Sequence, residues 1–228
     1  MRTRVPWWFL FGLAALAVGC GRADPPVESA TSHATEVDES RGDVEVEAGG
    51  EGSPQDEFWA RLEALCGQSF EGELVEGTEE GDRALDGVRL VMDAHTCEGD
   101  EIRIGFYAGE DRSRTWVFRR KEGGLYLQHD HRHADGTAEE VTDYGGPTQS
   151  AGTGSAQDFH ADEHTAEVAP EAATNIWTVA IEPGERFVYA LRRQVGDRRF
   201  RAEFDLSRPV DATAAPQPSQ DAEIIEVD

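Results

Sequence analysis

From residue 69 onward, apolar side chains recur at every second position in one short run after another. In GVRLVMDAHTC, Val88, Leu90, Met92 and Ala94 share a face. In EIRIGFY the shared face carries Ile102, Ile104 and Phe106; in RTWVFRR it carries Trp116 and Phe118. A period of two is that of a β-strand with one buried face. The run that ends near residue 206 is the clearest. Phe200, Ala202, Phe204 and Leu206 point one way, and Arg199, Arg201, Glu203 and Asp205 the other. One dry face and one wet face are what an antiparallel sheet requires. Turn signals separate the runs: KEGG before LYLQHDHRH, then Pro183-Gly184 and Gly196-Asp197. SFEGELVEG adds a short, glycine-broken strand. The count comes to seven or eight strands.

One segment keeps a different period. SPQDEFWARLEALCG places Ser53 as an N-cap, Pro54 at the first helical position and Asp56 in the first turn. Phe58, Leu62 and Leu65 follow at helical spacing, and Gly67 is a natural stop. Residues 134–175 show neither period and read as a long polar loop region. No internal repeat is visible. The expected fold is all-β: an antiparallel up-and-down barrel of the lipocalin-like kind, preceded by one N-terminal helix. The likeness to lipocalins is one of pattern, since their specific motifs are missing. A β-sandwich is the alternative.

The two ends of the chain change the picture. MRTRVPWWFLFGLAALAVGC has a basic start, an apolar run too short for a typical membrane span, and small residues before a cysteine. This predicts a signal peptide over residues 1–19. LAVGC resembles the lipobox of bacterial lipoproteins, in which cleavage exposes a cysteine that receives lipid; Ala17 stands where a Leu is usual. The resemblance implies lipidation of Cys20, with plain secretion as the alternative. Gly21 in place of Asp favours the outer membrane over inner-membrane retention. Cys66 and Cys97 then remain of the three cysteines. Two free thiols are the alternative to one disulfide in an oxidising periplasm, which would contribute roughly 3–4 kcal/mol by closing their loop.

Residues 20–53 form an acidic linker with almost no large apolar side chain, spanning about 30 Å as a flexible coil. Residues 209–228 read as an acidic disordered tail. That leaves residues 54–208 for one domain with room for a real core. With 46 Asp and Glu against 21 Lys and Arg, the formal net charge is −25. A polyanion of this kind disfavours nucleic acid as a partner. The expected state is a monomer held at the membrane by its lipid.

Candidate chemistry centres on LYLQHDHRHADG. His129, His131 and His133 share the parity of Leu125 and Leu127. If the leucines face the core, the imidazoles continue that face to the barrel mouth, and Asp130 and Arg132 point outward. H-x-H on a strand can present two imidazoles to a divalent metal. Three, however, span about 13 Å at ~3.3 Å per residue, so the third ligand must come from elsewhere. DFHADEH offers His160. His160, Glu163 and His164 also spell H-x-x-E-H, a zinc-peptidase pattern, but on too short and loop-like a segment. The other reading is a polar ligand site: imidazoles and Arg114 beside Trp116 hold a small polar or anionic ligand, and Tyr144 or Gln157 closes over it. Arg112, Arg192, Arg193, Arg198, Arg199 and Arg201 are gathered nearby in sequence; they either clamp an anion or pair with the many acids of the wet face.

GEDRSRTW, HDHRHADG, YGG and WTVAI…FVYALRR…RRFRAEFDL resemble an uncharacterised family of secreted and lipid-anchored bacterial envelope proteins, over roughly residues 58–207. The resemblance implies a cell-envelope protein and no particular chemistry; in that pattern position 160 is not reliably His. The functional expectation is an outer-membrane-anchored lipoprotein whose barrel binds a ligand or partner without catalysis. A metal-dependent enzyme using His129 and His131 and a purely structural envelope protein are the alternatives.

Overall fold

The computed structural model describes residues 52–212. The expected signal peptide, Cys20, most of the acidic linker and the tail from residue 213 lie outside the described residues. The described chain opens with helix α1 (Pro54–Glu63) and continues through ten strands: β1 (Ser69–Gly77), β2 (Leu90–Glu98), β3 (Glu101–Ala108), β4 (Asp111–Lys121), β5 (Gly124–His131), β6 (Tyr144–Pro147), β7 (Ala156–His160), β8 (Asn175–Glu182), β9 (Arg186–Arg193) and β10 (Arg199–Val210). Two short helices, α2 (Glu80–Arg83) and α3 (Glu163–Val168), and a 3-10 turn (Pro170–Ala172) lie in the connections.

All ten strands belong to one antiparallel sheet in the order β6-β5-β4-β3-β2-β1-β10-β9-β8-β7. Strands adjacent in sequence are adjacent in space except across the β6–β7 seam, and β10 returns to pair with β1. The two edges, β6 and β7, meet: Thr148 bridges to Phe159, and the Asp162 amide donates to the Gly145 carbonyl at 3.1 Å. The sheet is therefore a nearly closed up-and-down barrel and not a sandwich. Closure leaves little unpaired edge.

The seam explains the YGG string. A methyl group on Gly146 would lie 1.7 Å from the His160 carbonyl oxygen, and one on Gly145 would lie 1.9 Å from that of Leu127. Only glycine lets the backbones pass this closely. The Thr165 hydroxyl then donates to the Gly145 carbonyl at 2.6 Å and accepts from its amide at 2.7 Å, so α3 satisfies the edge that β7 does not.

Two expectations need correction. Residues 134–175 are not simply loop, since they hold β6, β7, α3 and the 3-10 turn, which raises the strand count to ten. β10 also runs into the stretch assigned to the tail, with Pro209 and Val210 paired to Phe70 and Ser69.

α1 plugs one end of the barrel. Ser53 and Asp56 form the capping box: the Ser53 hydroxyl accepts from the Asp56 amide at 3.2 Å, and the Asp56 carboxylate accepts from the Ser53 amide at 3.1 Å. Phe58, Trp59 and Leu62 are buried completely or nearly so. Each contributes roughly 1.5–3 kcal/mol by leaving water. A disulfide from Cys66 to Cys97 ties the end of the helix to β2, which settles the pairing left open by the cysteine count. Above the plug the core is largely aromatic. Trp116 lies between Phe106, Phe187, Tyr189 and Phe204, with centroids 4.4–6.1 Å away.

Candidate functional site

The end opposite α1 carries the long connections. β1–β2 includes α2, β5–β6 spans residues 132–143, and β7–β8 includes α3 and the 3-10 turn. Between them is a cavity of about 240 Å³. Its inner wall is aromatic, with Trp116, Trp177, Tyr189 and His129 prominent; its rim carries Arg114, His131 and several ion pairs.

His129 forms part of the inner wall and is only 3% exposed. Its strand alternates as the leucine parity requires, with Leu125 and Leu127 buried before it. The ring partners assign its tautomer. Nδ1 lies 3.1 Å from the Tyr144 carbonyl, which can only accept, so Nδ1 carries the hydrogen. Nε2 then accepts from the Tyr189 hydroxyl at 2.7 Å. The ring stacks on Tyr144 at 4.8 Å and leans on Trp177 at 4.8 Å. Burial, with a smaller contribution from nearby His131, pushes its pKa down to about 3. At neutral pH it is an uncharged wall residue with both nitrogens engaged. Burial also pushes the Tyr144 hydroxyl up to about 12, so it stays protonated.

His131 is half-buried at the rim. Its Nε2 lies 3.5 Å from the Tyr144 hydroxyl, the outer limit of a hydrogen bond, and its Nδ1 is 4.0 Å from Glu139. Burial and the Arg114 guanidinium hold its pKa below the usual histidine value, against Glu139, Asp130 and Asp111. Arg114 is its direct partner across the β4–β5 pair. The guanidinium of Arg114 is exposed and makes no ion pair or hydrogen bond among the described residues.

The other rim arginines differ. Arg198 binds both oxygens of Asp82, with 2.7 Å to Oδ1, and reaches Glu79 at 3.1 Å. Asp82 is buried at the third position of α2, where it also accepts from the Glu79 amide at 3.0 Å. This pair fastens α2 to the β9–β10 turn. Arg193 reaches Asn175 at 3.2 Å and Glu79 at 3.6 Å. Farther out, Arg192 pairs with Asp158 and Arg201 with Glu203. On the outer wall Asp130 accepts from Arg103 at 3.2 Å and from Arg132 at 2.5 Å. The pairing reading therefore holds for these arginines; Arg112 instead donates to the Ala212 carbonyl at 2.8 Å and lies over Tyr107, Arg199 makes no ion pair among the described residues on the outer face, and of the arginines lining the cavity Arg114 alone makes none.

Of the residues singled out in the sequence, Arg114, Trp116, His129, His131 and Tyr144 line this one cavity. Two do not. His133 falls beyond the end of β5 on an exposed turn, because the chain leaves the strand after His131. Gln157 is buried on β7 but points under the 148–155 turn, donating to the carbonyls of Ala151 and Thr153 at 2.9 Å each. Tyr144 closes the site from a strand and not from a loop.

The set His129, His131 and His160 is not brought together. His160 alternates with buried Phe159 on β7 and so points away from the interior that holds His129. Among the described residues no group of three or more His, Cys, Asp or Glu side chains is arranged to hold a metal ion. The H-x-x-E-H spelling is split between the end of β7 and the six-residue α3. Sequence reasoning missed Trp177, Tyr189 and the Asp82–Arg198 pair. Tyr189 did carry a signal: a hydroxyl at strand parity with Phe187 must find a buried partner.

No protein-family model, no curated protein and no solved structure matches the chain.

Proposed function

We propose that this chain is an outer-membrane lipoprotein, anchored through Cys20, whose barrel binds one small ligand in the cavity at its open end and catalyses no reaction. The observation that carries the binding reading is the contrast at the rim. An aromatic chamber opens beside a guanidinium with no partner among the described residues, while the neighbouring arginines are paired. Such a chamber with a few convergent polar groups is the usual form of a small-molecule site. At about 240 Å³ it falls below the roughly 300–1,000 Å³ of drug-sized pockets, which suits a small ligand. His129, with both nitrogens engaged, serves as wall and not as proton carrier.

Native mass spectrometry of the full chain, released gently from membranes, tests the binding. A small adduct should be present and should vanish in Leu191→Trp, which fills the cavity. A bare protein, or an adduct indifferent to that change, would sink the reading. For the anchor, Cys20→Ala should leave the membrane fraction; retention there would refute lipidation at this residue.

A further inference from the structure

We propose that the ligand is a small aromatic monocarboxylate, its ring against Trp116 and Tyr189 and its carboxylate between Arg114 and His131, with one proton taken up by His131 on binding. This rests on the ligand-binding reading above and gives the ligand a chemical class.

Shape comes first. Trp116 and Tyr189 stack at 4.4 Å with planes 22° apart, and His129 and Tyr144 stack at 4.8 Å with planes 11° apart. Each ring gives one face to its stacking partner, and what remains lines the cavity as an aromatic wall; a cavity of this size suits a single ring. Flat aromatic walls accept either another aromatic ring or a cation. The charges at the mouth decide between these. Asp82 and Glu79 are held by Arg198 and Arg193. Arg114 continues the inward face of Trp116 and Phe118 to the mouth, and His131 continues that of Leu127 and His129. They sit directly opposite each other across the strand pair. Two donor side chains placed side by side suit a carboxylate, which a guanidinium grips through both oxygens. Glu171, exposed on the 3-10 turn and without an ion pair among the described residues, also lines the mouth. It disfavours a second carboxylate, hence a monoanion.

The proton follows from the same geometry. Arg114 and a charged His131 repel, so in the free protein burial and Arg114 keep the imidazole neutral despite Glu139, Asp130 and Asp111. The remaining groups against it, the Tyr144 hydroxyl and the His129 ring, are both uncharged at neutral pH. A carboxylate set between His131 and Arg114 reverses that balance. Binding then draws a proton from water, and affinity rises as pH falls through the range where histidine titrates, by up to about tenfold per pH unit.

The test uses the full chain, tryptophan fluorescence and four probes: benzoate, benzamide, phenyltrimethylammonium and acetate. At pH 6 benzoate should bind at least about tenfold more tightly than the other three, the worth of a charge-assisted contact. Arg114→Gln should weaken benzoate about tenfold or more and leave benzamide unchanged. His131→Asn should abolish the pH dependence while leaving the benzamide affinity as it was. Equal or tighter binding of benzamide or the ammonium overturns the proposal, as does benzoate affinity that is flat in pH. If no probe binds while the adduct persists and still vanishes in Leu191→Trp, the class is wrong and the cavity reading stands. If no probe binds and the adduct is absent too, both fall.

Discussion

The two ends of the barrel are built on opposite plans. At one, two-residue turns join β2 to β3 and β4 to β5, α1 is driven into the opening, and a disulfide ties the helix down. At the other, three of the connections are long, short helices lean over the mouth, and ionisable groups crowd around a cavity. The difference is one of what the residues are for. Phe58 and Leu62 gain by being out of water, and Trp59 adds an indole N–H donated to Glu63 at 2.7 Å, whereas Arg114 is exposed at the rim and makes no ion pair or hydrogen bond among the described residues.

If this contrast is right, core truncation at the plugged end is the most damaging change. Phe58→Ala should lower unfolding free energy by about 3–5 kcal/mol, read from the urea midpoint. A loss under about 1 kcal/mol would mean that α1 is an ornament and not a plug. Replacing Cys66 and Cys97 together by Ser should cost about 3–4 kcal/mol for a loop of 31 residues. Thiol labelling of denatured, unreduced protein should find neither sulfur.

The open end should govern acid sensitivity. The folded pKa of His129, about 3, lies below the ordinary value of 6.5, so the unfolded chain binds the proton first as pH falls. Its contribution is complete above about pH 6.5 and drains away toward pH 3, by about 1.4 kcal/mol per pH unit. His131, also lowered, adds to the upper part of that range. Melting temperature should therefore drop between pH 6.5 and 5, before most carboxylates titrate. In His129→Gln, whose amide can reproduce both hydrogen bonds, that drop should shrink. A slope unchanged by the substitution would place the acid response elsewhere. The smallest effect is the sharpest test of the contrast: Arg114→Gln should change stability by less than about 0.5 kcal/mol. A larger loss would reveal a structural partner and remove the reason for thinking Arg114 awaits a ligand.

Strand parity made much of this legible in advance. The buried faces of β3, β4, β5 and β10, the capping of α1 and the inward turn of His129 all follow from local periods, because burial on one face imposes them. The missing pieces are those whose reasons are not local. YGGP does not look like a strand, since its glycines answer to His160 and Leu127 across the seam. α3 shows no apolar stripe because its buried contribution is Thr165, whose hydroxyl serves the Gly145 backbone. Asp82 finds Arg198 across 116 residues, a distance no window of sequence spans. His133 failed for a simpler reason: the alternation was carried past the point where the strand ends.

The pairing of β1 with β10 also sets an order in time. Gly72 meets Phe204, so the first strand made cannot gain its second neighbour until nearly the whole domain has emerged. Cys66 and Cys97 are both present long before that. The helix can be tied to β2 while the barrel is still an open meander, and closure is the slow, late step, because it joins segments far apart along the chain. During that wait β1 offers an unpaired edge to other chains. Its exposed Glu71, Glu73 and Glu76 are the charges that make such an edge unattractive to a second copy.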